Sequence, residues 1–233
     1  MKNDLYTSGE YLSNTSTWHT EDSHWKAQQI VKLIEKNSLA FSSIGEIGCG
    51  AGEILNALSK KYTDNVSFSG YDISPQAINL AKKIANDRLS FFEEDLLTNS
   101  GVYFDILLVL DVFEHVPDYL GFISKCKEKA NFKIFHIPLD LHVSSLIRNT
   151  TTKERYTTGH IHYFSADSAL ATLRDSGLEI VDYFYTNAAL DLFKEHPSAK
   201  KAIANIFRWV VSRYSTSLSA RIFGGYSLIV LTQ

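Results

Sequence analysis

Residues 43–53 constrain the fold more than any other stretch. They read Ser-Ile-Gly-Glu-Ile-Gly-Cys-Gly-Ala-Gly-Glu and run directly into Ile-Leu-Asn-Ala-Leu-Ser-Lys-Lys. A short apolar run that breaks at Gly48, Gly50 and Gly52 and passes into a helical pattern predicts a strand, a tight turn and a helix N-terminus. Glycines at such a turn let backbone approach a ligand where a Cβ would collide, and the unpaired N–H groups of the helix start favour electron-rich atoms. A glycine turn also serves as a plain strand-to-helix connection, so its neighbours decide its meaning.

The next apolar run, residues 66–73, carries Asp72 at 20 residues beyond Gly52. A carboxylate there suits a ribose diol, because it accepts from both hydroxyls. Two nucleotide cofactors compete for this pattern, a nicotinamide dinucleotide and S-adenosylmethionine. The spacing Gly48-x-Gly50-x-Gly52 departs from the dinucleotide pattern G-x-G-x-x-G, and Glu46 stands two residues before the first glycine. An acid there sits badly beside a pyrophosphate and suits the cationic amino acid end of S-adenosylmethionine. With Glu46 and the three glycines in this order, the chain resembles the class I S-adenosylmethionine-dependent methyltransferases.

Further motifs follow in that family's order. Residues 91–96, Phe-Phe-Glu-Glu-Asp-Leu, resemble the end of its third strand; the resemblance implies that Asp95 faces the adenine amino group and Leu96 packs on the ring. Residues 104–118 resemble its fourth strand and following loop, and the wording Glu114-His115-Val116-Pro117-Asp118 is similar to the ubiquinone and menaquinone small-molecule branch. The resemblance covers roughly residues 40–185. It implies S-adenosylmethionine as cofactor, with contacts also from Cys49, Ile73 and Asp111, and an antiparallel hairpin of the last two strands.

Along the chain, Tyr6, Tyr11, Trp18 and His19 stand in a polar leader, read as a lid over the cofactor with Trp18 as a contact; residues 1–38 hold this lid and a helix. Trp25, Ala27, Ile30, Leu33 and Ile34 recur at helical spacing from an expected N-cap at Ser23. Strands at 43–48, 66–72, 89–93, 104–110 and 132–137 alternate with helices at 52–61, 75–86 and 118–129. This rhythm gives a parallel sheet. With strands at 178–186 and 225–231, it predicts an α/β, Rossmann-like, doubly wound seven-stranded sheet flanked by helices, in one domain. The cofactor then lies at the carboxyl ends of the strands, where every motif above falls.

Two insertions, 139–160 and 187–223, are expected to form the acceptor side. The first reads as irregular and polar, the second as helical. In the second, Ile203, Phe207, Val210 and Tyr214 form an apolar stripe, and Lys194, Lys200, Lys201, Arg208, Arg213 and Arg221 outnumber Asp191 and Glu195. A basic amphipathic helix invites a membrane reading. The basic residues surround the stripe unevenly, however, which favours packing on the domain or on a second copy in a homodimer.

The formal net charge of −3 and pI near 6.2 argue against a general nucleic-acid binder. Two cysteines, Cys49 and Cys126, give no disulfide framework and suit a reducing cytoplasm. No apolar run reaches the ~18 residues of a membrane span.

Methyl transfer from a sulfonium requires alignment and an acceptor deprotonated in time. His115, just past the fourth strand, is one candidate base. His160 and His162 point oppositely if extended, and His160, beside Gly159, is the second candidate. His136 and His142 bracket Pro138 and could line the acceptor side, but are read foremost as core or solvent residues. His160-x-His162 lacks a carboxylate or cysteine at matching spacing, so no metal site is expected. The expected activity is methylation of a small-molecule acceptor, foremost a hydroxyl of a sugar or secondary metabolite. The competing reading is a protein that keeps the fold as a binding or regulatory subunit without turnover.

Overall fold

A computed structural model describes residues 20–63, 65–192 and 199–233. Trp18 and His19 lie outside the described residues. The seven strands are β1 (Ser43–Ile47), β2 (Ser67–Asp72), β3 (Leu89–Glu93), β4 (Phe104–Leu110), β5 (Ala130–Pro138), β6 (Ile180–Thr186) and β7 (Ser227–Thr232). They form one sheet in the order β3-β2-β1-β4-β5-β7-β6. Pairings from β3 to β5 are parallel, and β7 runs antiparallel to both β5 and β6. This is the expected doubly wound, Rossmann-like sheet. The chain reverses its direction of travel between β1 and β4, so loops after these strands splay apart and open a crevice.

The sheet is buried on both faces, and its central strand β4 is apolar and buried at every position from Ile106 to Leu110. Ile106 and Leu108 of β4 join a cluster with Ile44, Phe68 and Ile134 on one face. Leu107 and Val109 join Ile47, Phe113 and Phe135 on the other. On the first face pack α1 (Thr20–Lys36) and α2 (Glu53–Lys61), with Ile30, Leu33, Leu55 and Leu58 buried. Each such side chain contributes about 1.5–3 kcal/mol on burial. Ser74 caps α3 (Pro75–Ala81) through the N–H of Ala77, with Pro75 in the first turn. A turn of 3-10 helix at Lys82–Ile84 ends that segment earlier than the periodicity implies. Asp118 caps α4 (Tyr119–Cys126).

Two expectations are corrected. Helix α1 begins at Thr20, so Ser23 is a buried residue within it rather than its N-cap. The region after β5 is not irregular: it forms α5 (Val143–Arg148) and α6 (Thr150–Thr157), separated by Asn149 in the left-handed conformation at φ 51°. Asparagine tolerates this conformation, and the break hides two helices too short to show a periodicity. His142 caps α5 by accepting from the Ser145 N–H. After α7 (Ala166–Asp175), capped by Ser165, and β6 come α8 (Ala188–Asp191), α9 (Ala199–Tyr214) and α10 (Thr216–Phe223). On α9, Phe207 is 56% exposed and Tyr214 is 88% exposed, so of the two expected coverings the chain's own domain does not supply one at these positions. The side that packs instead holds Arg208, whose guanidinium donates to the carbonyls of Phe223 and Gly224 and to Asn205.

Candidate active site

The loops after β1, β2, β4 and β5 and the N-terminal half of α1 enclose a cleft of about 780 Å³. Glu46, Gly48, Cys49, Gly50, Asp72, Ile73 and Asp111 all line it. The glycine turn is tied to β2. The N–H groups of Gly48 and Cys49 donate to the Tyr71 carbonyl, and that of Gly50 donates to Asp72 Oδ2 at 2.9 Å. Asp72 Oδ1 accepts from the Ser74 N–H at 2.8 Å. Burial raises the Asp72 carboxyl above its ordinary range, against these backbone hydrogen bonds. Gly48 has φ 70°, and a Cβ there would lie 2.8 Å from Val112 Cγ2. Gly52 serves packing, since its Cβ would strike the Phe91 ring, and it does not line the cleft.

Glu46 is 1% exposed, and its Oε2 has no hydrogen-bond partner among the described residues. Burial pushes its carboxyl up to about 8, with Lys26 opposing and Asp72 adding to the rise. A buried acid with an open oxygen calls for a proton, a donor or a cation. The Cys49 thiol is pushed well up by burial and is no nucleophile.

Lys26 was not singled out by the sequence. Its ammonium pairs with Asp22 at 3.0 Å and Asp111 at 2.8 Å, and these two carboxylates outweigh burial and hold it charged. Asp111, at φ 53°, also meets His136 Nδ1 at 2.7 Å. Burial alone would raise its carboxyl, but His136 and Lys26 take it well below the ordinary range. His136 is buried, reaches Thr186 through Nε2 at 3.1 Å and stands edge-on to Trp25. A lysine among the apolar positions of α1, four residues from Asp22 and from Ile30, was the available signal.

On the far side of the cleft, His115 and His160 meet edge to face, with ring centroids 4.8 Å apart. His160 Nδ1 is 2.6 Å from Asp140 Oδ2. His162 turns away: its ring donates to the Val116 carbonyl at 3.0 Å and packs on Tyr119. Burial, then the charge of His160, lowers the His115 imidazole to about 4, so it is neutral at pH 7. From the insertions, Thr158, His160 and Ala188 reach the cleft.

Asp95 and Leu96 do not join this set. Asp95 accepts from the Leu97 N–H and caps a 3-10 turn, and Leu96 is fully buried in the core. Neither lines the cleft.

Fold and cleft together define a class I S-adenosylmethionine-dependent methyltransferase. The family described as "Methyltransferase domain" matches residues 21–183, and the chain belongs to it. The ubiquinone biosynthesis O-methyltransferase of Colwellia psychrerythraea is 25% identical over 172 residues, covering 67% of this chain and 68% of that one. The enzyme of the same name from Coxiella burnetii is 30% identical over 102 residues, 41% of this chain and 42% of its own length. The N-methyltransferase NodS of Bradyrhizobium japonicum, solved with S-adenosyl-L-homocysteine, superposes with a TM-score of 0.53 at 18% identity, covering 89% of this chain and 84% of that one. Among the described residues, no helix is long and apolar enough to cross a membrane.

Proposed function

We propose that this protein transfers a methyl group to a hydroxyl of a small molecule, a sugar or secondary metabolite, in the cytoplasm. The observation that carries the cofactor half of this reading is the open, buried oxygen of Glu46 beside the glycine turn and Asp72. Glu46 would hold the cationic amino group, Asp72 the ribose hydroxyls and Ile73 the adenine ring. Bound there, S-adenosylmethionine supplies a methyl group already activated on a cationic sulfur.

The chain itself must bind, orient and manage one proton. Lys26 and His136 fix Asp111 at the end of β4, between the cofactor wall and the acceptor side. Asp140 fixes the ring of His160 through Nδ1 and leaves Nε2 for the cleft. His160 and the neutral His115 are the groups proposed to act on the acceptor's proton.

Oxygen is favoured as the accepting atom because the relative matched over 67% of the chain is an O-methyltransferase. The intact set of Glu46, the glycine turn and Asp72 speaks against a subunit that has lost cofactor binding. The exposed side of α9 at Phe207, Val210 and Tyr214 is the surface proposed for contact with a second copy. Sedimentation equilibrium of the chain and of Phe207→Asp tests this: a dimer that the substitution turns into a folded monomer supports it, and a monomeric parent overturns it.

A tritiated methyl-transfer screen over sugars, phenols and amines tests the reading as a whole. Label in a hydroxyl acceptor supports it; label only in amines overturns the assignment to oxygen.

A further inference from the structure

The turn after β4 holds an acid that methyl transfer, as derived above, does not use. Glu114 is fully buried, and neither carboxylate oxygen has a hydrogen-bond partner among the described residues. An ionised carboxylate in that state is strongly disfavoured, so the position calls for a proton or a cation. Its backbone carbonyl is used, however: the N–H groups of Ile161 and His162 both donate to it, at 2.9 and 3.1 Å. That pairing brings residues 160–162 alongside the β4 turn and sets His160 against His115. One possible ligand atom from each of Glu114, His115 and His160 lies within 4.8 Å of the other two.

We propose that Glu114, His115 and His160 hold a divalent transition-metal cation of the zinc type, and that the two histidines act on the acceptor through it. Two imidazoles and one carboxylate suit zinc, cobalt, iron or manganese, whereas magnesium and calcium favour oxygen ligands. Metal–ligand bonds of about 2.0–2.2 Å require the cluster to tighten by roughly an ångström, within reach of side-chain rotation. The surroundings fit a metal ligand set. Asp140 occupies His160 Nδ1 and leaves Nε2 for the ion, the carboxylate–histidine–metal arrangement that orients such ligands. Both histidines line the cleft, so a fourth position faces the acceptor.

The metal's use rests on methyl transfer to oxygen, but its binding does not. An acceptor hydroxyl at the fourth position is acidified and loses its proton to solvent. The oxygen lone pair then forms the O–C bond as the C–S bond breaks and its electron pair returns to sulfur. The sequence hid the site because its ligands are 46 residues apart in the chain, from Glu114 to His160, and the obvious pair His160-x-His162 is split between cleft and loop.

Cobalt titration of the chelator-stripped full chain, followed by visible absorption, tests this without cofactor or acceptor. One equivalent should bind with the intense bands of a low-coordinate site. Glu114→Gln and His160→Ala should each weaken uptake at least tenfold, while His162→Ala leaves it unchanged. Should Glu114→Gln fail to fold, Asp140→Asn keeps every ligand and is expected to weaken uptake by about 10–100-fold. No uptake at cobalt on the order of 100 μM, or uptake indifferent to Glu114→Gln and His160→Ala, overturns the proposal. Calorimetry of S-adenosylmethionine on the same variants should match the parent, so failure of the metal site and failure of the cofactor site are read separately.

Discussion

Lys26 on α1 sets its ammonium 2.8 Å from Oδ2 of Asp111, at the carboxyl end of β4. This contact fastens the N-terminal helix to the loop between the two halves of the cleft. It also holds Asp111 in a left-handed conformation that costs a non-glycine residue energy. Removing one member of a buried pair typically costs 3–5 kcal/mol, and the 26% exposure of the Asp111 side chain to the cleft lowers that. Lys26→Met should therefore destabilise the fold by about 2–4 kcal/mol. Urea unfolding measures it, and cofactor affinity should fall with the loosened loop.

Asp72 receives the N–H groups of both Gly50 and Ser74, so one side chain shapes the glycine turn and offers a face to the ligand. Asp72→Ala should weaken S-adenosylmethionine by roughly 1.5–3 kcal/mol, the range for hydrogen bonds to a charged group. The sheet should persist, as far-ultraviolet circular dichroism can report. An unchanged dissociation constant in the folded variant refutes the ribose assignment.

Why these two residues differ in legibility is physical. Asp72 ends a strand and acts through backbone two to twenty-two residues away, at spacings a turn and one crossover fix. The sheet was legible for the same reason: Ile106 to Leu110 suits a strand buried on both faces, and Ser74-Pro75 suits a helix start. Lys26, Glu114 and Asp140 act through partners brought by tertiary packing, so no local spacing marks them. Asp95 misled because an acid after a strand caps a turn as readily as it meets a ligand. At Phe207, helical periodicity identified the apolar face but not what covers it.

The pH dependence of stability isolates Glu46. In the folded chain its carboxyl holds its proton up to about pH 8, against an ordinary value of 4.5. Between these values the folded state binds more protons than the unfolded one, so stability falls as pH rises. His115 has the opposite sign, but its window, from about 4 to 6.5, ends below the upper part of this range. Between pH 6.5 and 8 the ligand-free protein should lose stability by up to about 1.4 kcal/mol per unit from Glu46. Burial gives Glu114 a slope of the same sign, so the difference between the parent and Glu46→Gln is the quantity to measure. Chemical unfolding at half-unit steps of pH gives it; parallel curves for the two proteins contradict the assignment.

Asp140 is a positioning residue, since it touches His160 and not the reacting atoms. Asp140→Asn should lower kcat by about 10–100-fold with little change in KM for the cofactor. A structural role alone would lower stability and leave kcat per folded molecule intact. Steady-state kinetics on an acceptor found by the methyl-transfer screen separates the two.

Glu46 and Asp72 are proposed to hold S-adenosylmethionine in the cleft at the ends of β1, β2 and β4. Calorimetry at pH 7 with S-adenosylmethionine and with NAD, on the parent, Glu46→Gln and Asp72→Ala, tests it most directly. One-to-one binding of S-adenosylmethionine with release of a proton is expected, because a cationic ligand lowers the raised carboxyl of Glu46; both substitutions should weaken it, and NAD should give no heat. Tight binding of NAD with no response to S-adenosylmethionine would contradict the account.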